Sequence, residues 1–327
     1  ASAPAAGTPI SHAIAALAWL IGVPAAGAEA TYAERLGWPT GSRVVIFHVD
    51  DAGLCHDANM GAIDAIENRV ATSTSVMMPC PCVPEIAAYA KEHPDLDVGM
   101  HITLTSEWPE YRWGPLAGRD TVPGLVDPDG ALWRGVLDVA SHAEPSEVET
   151  EIRAQLAHSR AVGIEPTHLD THMGVVLLPA FINRYMTIGI EEGIPVLVPG
   201  GHIQASNRRL PFPSWYLRWK TARLWNAGLP VIDTLVLAPA GNGSYEDMRE
   251  RLIAVIRGLR PGISQFIVHC TQTTEEFGRI GGSGSYRLAE LRLMKDPAIK
   301  QAIVDEGVIL TTWRELKARR DGLATQR

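Results

Sequence analysis

Two adjacent acids, Asp50 and Asp51, end the apolar run "RVVIFHVDDAGL" at residues 43–54. Side-by-side carboxylates at the edge of a low-dielectric interior are costly unless a positive partner sits beside them. Groups able to gather there lie far along the chain: His101 in "DVGMHITL", His168, Asp170 and His172 in "THLDTH", and His269 near the end of "QFIVHC". One carboxylate and two imidazoles, each from a different strand, make a divalent metal site with positions left for water and substrate. The second carboxylate is then free to act as a base. If 167–172 is extended, His168, Asp170 and His172 share one face, so this stretch offers a ligand together with partners that orient it. His48 reads as an ordinary core histidine, with a supporting role left open by its parity with Asp50.

Those residues need a scaffold that brings strand ends together. The runs 44–49, 73–78, 97–104, 167–172, 195–199, 231–237, 265–270 and 307–313 read as strands, with helical patterns between them, including one over 285–307. Strand followed by helix, repeated, implies a parallel sheet with right-handed crossovers. No glycine-rich dinucleotide turn follows the first strand, which favours a closed or nearly closed (β/α) barrel over an open Rossmann sheet. In a barrel the carboxyl ends of all strands converge on one mouth.

Segment 105–143 is rich in Pro, Gly and Trp without periodicity and reads as a long insertion over that face. Its Trp108, Trp113 and Trp133 are candidate stacking surfaces for a ligand. Trp215 and Trp219, one helical turn apart, read instead as an aromatic stripe packed on the barrel. The stretch "FGRIGGSGSYR" (277–287) reads as a flexible loop, a lid after His269. Arg287 and Glu290 fit either support of the site or plain helix surface.

Composition narrows the function classes. The chain has 327 residues, 46% of them hydrophobic, with 37 acids against 29 bases and a formal net charge of -8. That balance argues against nucleic acid and suits a small neutral or cationic ligand or a bound metal. Cys55, Cys80, Cys82 and Cys270 show no CxxC spacing and read as small buried residues. The run from Ala13 to Ala30 has a short apolar core, then Pro24, then small residues, as in a secretory leader. It is too short for a comfortable bilayer span. The expectation is an exported protein, periplasmic or extracellular, with a cytoplasmic protein carrying an N-terminal extension as the alternative. Residues 31–327 are expected to form a single domain.

Several motifs in series, "VDDAGLCHDANMGAIDAIENRVATSTSVMM", "DVGMHITLT", "PTHLDTHMG", "FIVHC" and "SYRLAELRLMKDPAIKQAIVDEGVILTTWREL", resemble the YdjC/ChbG/HpnK family of carbohydrate deacetylases over about residues 43–318. The resemblance implies a distorted (β/α) barrel of the polysaccharide-deacetylase kind. It implies a metal-dependent hydrolase that removes acetyl groups from N-acetylated amino sugars or oligosaccharides, with a small carbohydrate as substrate. Asp51, His101 and His172 would hold one divalent ion, zinc or magnesium. Asp50 would be the general base, and His269 the general acid or oxyanion partner. The chain departs from the family's usual pattern at Ala52, where an aromatic is common, and at Cys270, where proline is common; both lie beside the pocket and bear on substrate choice. The alternatives are an O-acetyl esterase or other amidohydrolase on the same metal site, or a sugar-binding barrel without catalysis. An intact Asp50 favours catalysis, because binding alone needs no base.

Overall fold

The computed structural model describes residues 29–68, 70–204, 214–237 and 244–325. The leader-like run therefore lies outside the described residues, apart from Glu29 and Ala30. Residues Thr31–Arg327 form one compact unit. Its strands are β1 (Arg43–Ala52), β2 (Ser73–Val76), β3 (Val98–Ile102), β4 (Leu169–Thr171), β5 (Pro199–Gln204), β6 (Ile232–Leu237), β7 (Gly262–His269) and β8 (Ile309–Leu310). Its helices are α1 (Tyr32–Arg35), α2 (His56–Glu67), α3 (Val83–Glu92), α4 (Val136–His142), α5 (Pro145–Ala161), α6 (Ile182–Glu192), α7 (Ser214–Asn226), α8 (Tyr245–Arg257), α9 (Glu275–Ile280), α10 (Gly284–Lys295), α11 (Pro297–Asp305) and α12 (Trp313–Thr325).

All the strand pairings are parallel, in the order β4-β3-β2-β1-β7-β6-β5, with β8 against the first residues of β1. The two ends of this path are drawn together. Leu169 of β4 bridges Val196, just ahead of β5, through Leu169 N to Pro195 O at 2.8 Å and Leu197 N to Leu169 O at 2.9 Å. The sheet is thus a distorted barrel, as the strand–helix alternation predicts. Among the described residues no helix is long and apolar enough to cross a membrane.

The central strand shows how sequence builds the site. Along β1, Val45, Phe47 and Val49 join the larger apolar cluster with helix residues such as Ala62 and Ile86. Val44 and Ile46 instead pack with Ile232, Ile263 and Trp313. This alternation is what a strand covered on both faces requires, and each fully buried aliphatic side chain contributes roughly 1.5–3 kcal/mol. His48 and Asp50 continue the face of Val44 and Ile46. Strict alternation would turn Asp51 the other way, toward the helices. Between Val49 and Ala52 the register with β2 slips, so that β1 carries one extra residue, and Asp51 takes a left-handed φ of 68°. This bulge swings Asp51 to the same side as Asp50. A non-glycine residue there costs on the order of 1–3 kcal/mol, which the contacts of Asp51 must offset. Gly53 follows at φ 85°, where an added Cβ would lie 2.9 Å from Val76 Cγ1.

The structure corrects several expectations. The expected strand at 195–199 is displaced: 195–197 supply the closing bridge and β5 begins at Pro199. The expected single helix over 285–307 is two. Pro297 has no N–H to continue α10, and Asp296 caps α11 by accepting from Ala298 N at 2.8 Å. The lid-like stretch 277–287 is the end of α9, a turn, and the start of α10. On α7 the buried stripe is Leu217, Lys220, Thr221 and Leu224, so Trp215 and Trp219 are left 62% and 60% exposed rather than packed on the barrel. Segment 105–143 is largely irregular, as expected of an insertion, but ends in α4.

Candidate active site

Strand register sets the floor of the mouth. Asp50 pairs with His269 across β1 and β7, and His101 pairs with Asp170 across β3 and β4. His172 follows β4 directly and opens a kinked 3-10 segment in which Met173 has a φ of 55°. From there its ring faces β1: His172 Nδ1 lies 3.2 Å from Asp51 Oδ1. His101 Nε2 reaches the same carboxylate oxygen at 3.3 Å. One ligand atom from each of Asp51, His101 and His172 thus falls within 4.8 Å of the others, in a buried cluster. Asp50 stands beside it, with Oδ2 3.8 Å from both His101 Nε2 and His269 Nε2.

The support beneath is polar and buried. Asp170 Oδ1 accepts from His101 Nδ1 at 2.8 Å, while its Oδ2 accepts from Ser75 Oγ at 2.8 Å and lies 2.8 Å from His48 Nε2. With Nδ1–H committed to Asp170, the other nitrogen of His101, Nε2, is buried without a hydrogen bond and carries the lone pair whenever the ring is neutral. His48 Nδ1 meets Ser73 Oγ at 2.9 Å, and its Nε2 is 3.3 Å from Asp50 Oδ1. His168 lies deeper, stacked on Trp313 with centroids 5.3 Å apart.

Among the described residues, five carboxyl groups, Asp50, Asp51, Glu107, Asp170 and Glu290, converge here with one permanent cation, Arg287. Arg287 Nη2 donates to Asp51 Oδ2 at 2.6 Å. Burial pushes Asp51 up, but Arg287 and the two histidines override it and hold the carboxyl well below its usual range. Burial leaves Asp50 raised despite the pull of His101. For His101, burial is outweighed by Asp170 and Asp50, and the imidazole is held well above its usual range. Burial is likewise outweighed at His172, raised to about 9 by Glu107 and Asp51, and at His269, raised chiefly through Glu290. The pattern is that of a pocket with an excess of negative charge and histidines drawing protons to balance it.

The family model described as YdjC-like protein matches residues 44–305. The chain belongs to the YdjC-like family. A carbohydrate deacetylase from Thermus thermophilus is 31% identical to it over 87% of this chain and 97% of the relative. A chitooligosaccharide deacetylase from Yersinia enterocolitica is 27% identical over 84% and 99%. A crystal structure described as a cellobiose-phosphate cleavage protein from Enterococcus faecalis V583 superposes with a TM-score of 0.70 at 20% identity. It covers 84% of this chain and 99% of that one, and bears on the fold alone.

In this YdjC-like chain the remaining candidates divide. Arg287 and Glu290, both on α10, reach the site. Glu290 Oε2 accepts from the backbone N of His269 at 2.6 Å, while its Oε1 accepts from Tyr286 OH at 2.6 Å. Trp108 and Trp113 do not line an open platform. They are buried against each other at 5.7 Å, Trp113 Nε1 donates to Thr105 O, and Gly281 is small enough to let Trp108 lie against it. Trp133 stacks on His142 at 4.2 Å. Sequence reasoning passed over Ser73, Ser75 and Glu107. The serines carried a signal, because "STSV" alternates polar residues on one face; Glu107 sits in the aperiodic insertion and carried none.

Proposed function

We propose that the protein is a metal-dependent deacetylase acting on N-acetylated amino sugars or their oligosaccharides. The observation that carries this reading is the convergence of Asp51 Oδ1, His101 Nε2 and His172 Nδ1, with the carboxylate of Asp50 alongside. The donor set suits a divalent ion. His101 Nε2 is buried without a hydrogen bond, Asp51 is held well below the usual carboxylate range, and among the described residues the pocket's carboxyl groups outnumber its permanent cation. Two imidazoles and one carboxylate fit zinc better than magnesium, which prefers oxygen. When bound, such a cation supplies Lewis-acid charge to polarise an acetyl carbonyl and to acidify water.

The protein's own groups move the protons. Asp50 takes one from the attacking water, with His48 Nε2 3.3 Å behind its Oδ1. His269 sits across from Asp50 at the more open side of the mouth, with Glu290, 3.6 Å from its Nδ1, raising the imidazole's hold on its proton. It delivers that proton to the nitrogen of the departing amine as the carbon–nitrogen bond breaks. Acetate and a free amino sugar result. The names of the relatives support a carbohydrate substrate. Acetate release by the zinc-loaded protein, measured in parallel on N-acetylated chitooligosaccharides and on O-acetylated sugars, tests the reading. Release from the amides is expected; release from the esters alone would replace it with an esterase, and no release would leave a binding barrel.

A further inference from the structure

We infer that Glu107, carried by the insertion, is a positioning residue for the cation site. The inference rests on the proposed reading of Asp51, His101 and His172 as ligands. Glu107 places both carboxylate oxygens 3.1 Å from His172 Nε2. The opposite ring nitrogen, Nδ1, is the one that faces Asp51. An imidazole that donates Nε2–H to a carboxylate presents its Nδ1 lone pair to whatever lies on the other side. When the ring gives up a proton on binding a cation, Glu107 therefore keeps the one on Nε2 and leaves Nδ1 of His172 free to bind the metal. Asp170 does the same for His101 with the nitrogens exchanged.

The two supporting acids have different origins. Asp170 belongs to the barrel wall, whereas Glu107 hangs from residues after β3 that are fixed by the insertion's own packing. Trp113 N and Arg112 Nε both donate to Ser106 Oγ, and Arg112 ties Ser106 to Asp127 and to Leu132 O. The insertion is thus part of the cation site rather than only a cover over it. Cover and ligand orientation are linked through one side chain.

The test measures zinc affinity, not turnover, by equilibrium dialysis of the full chain against zinc alone. Glu107→Ala is expected to weaken zinc binding about 10- to 100-fold, the usual loss when the partner of a ligand histidine is removed, with the unfolding temperature of the zinc-free protein near wild type. Glu107→Gln, whose amide oxygen accepts the same N–H, is expected to recover most of the loss. If the alanine variant does not fold, Glu107→Leu fills the space without an acceptor and takes its place. Unchanged affinity in the Ala or Leu variant, or a loss shared in full by Glu107→Gln, overturns the inference while the proposed cation site stands. Failure of wild type to bind zinc overturns both.

Discussion

Asp50 and His269 occupy paired positions in the parallel register of β1 and β7, and their side chains approach to 3.8 Å. Hydrogen-bonded neighbours in a sheet are held to within fractions of an ångström by the ladder on either side. Two side chains built on such a pair keep their spacing without help from loops. The same logic pairs His101 with Asp170. Asp51 depends instead on the bulge in β1, and His172 and Glu107 on irregular backbone.

Asp50→Asn removes the acceptor and keeps the shape. The variant is expected to retain bound metal and native stability while turnover falls about 10²- to 10⁴-fold. Metal analysis beside acetate release decides it; full activity in this variant would rule out Asp50 as the base.

His269→Ala is expected to lose activity in a way that depends on the leaving group. An amine must depart protonated, whereas a phenolate leaves unaided. The loss on an N-acetyl sugar should therefore be about 10²-fold or more, and much smaller on an aryl acetate. Equal losses on both substrates would move His269 from acid to oxyanion support.

How far the residues announced this arrangement can be judged from particular cases. The barrel was legible because its strands and helices alternate with clear periodicities, and Asp50, His101, Asp170 and His269 were legible because they end strands. Asp51 was legible as a ligand through the family resemblance and not through strand parity, since strict alternation would have pointed it outward; the bulge and its left-handed φ are local choices made by tertiary contacts. Glu107 lies in a segment whose path is set by long-range packing. The exposed rings of Trp215 and Trp219 show the reverse failure. Aromatic content suggested a buried stripe, but the helix buries the next face, with Leu217, Thr221 and Leu224.

Arg287 and Asp51 form a buried pair at 2.6 Å. In metal-free protein, Asp51→Ala should cost about 3–5 kcal/mol, because it strands a buried guanidinium. Asp51→Ala with Arg287→Met removes both charges and is expected to recover most of that loss. Denaturant unfolding of the two single variants and the double variant measures the coupling. Additive losses would mean that the pair contributes nothing as a pair.

His168 makes the fold acid-sensitive. Burial, with repulsion from His48, lowers its pKa to about 4, although Asp97 and Asp170 pull the other way. The unfolded imidazole takes up its proton near the ordinary value of about 6.5. The unfolded chain therefore binds more protons between these values, and stability rises with pH across that window. The share of stability that rests on neutral His168 is complete above about pH 6.5 and falls by roughly 3 kcal/mol on acidification to about pH 4, at about 1.4 kcal/mol per unit. His168→Gln cannot titrate, so its unfolding free energy should lack this share of the slope even though the lost stacking on Trp313 lowers it at every pH. The comparison is the difference in slope between wild type and variant from pH 7 to pH 4. Parallel curves would show that the proton taken up on acid unfolding binds elsewhere.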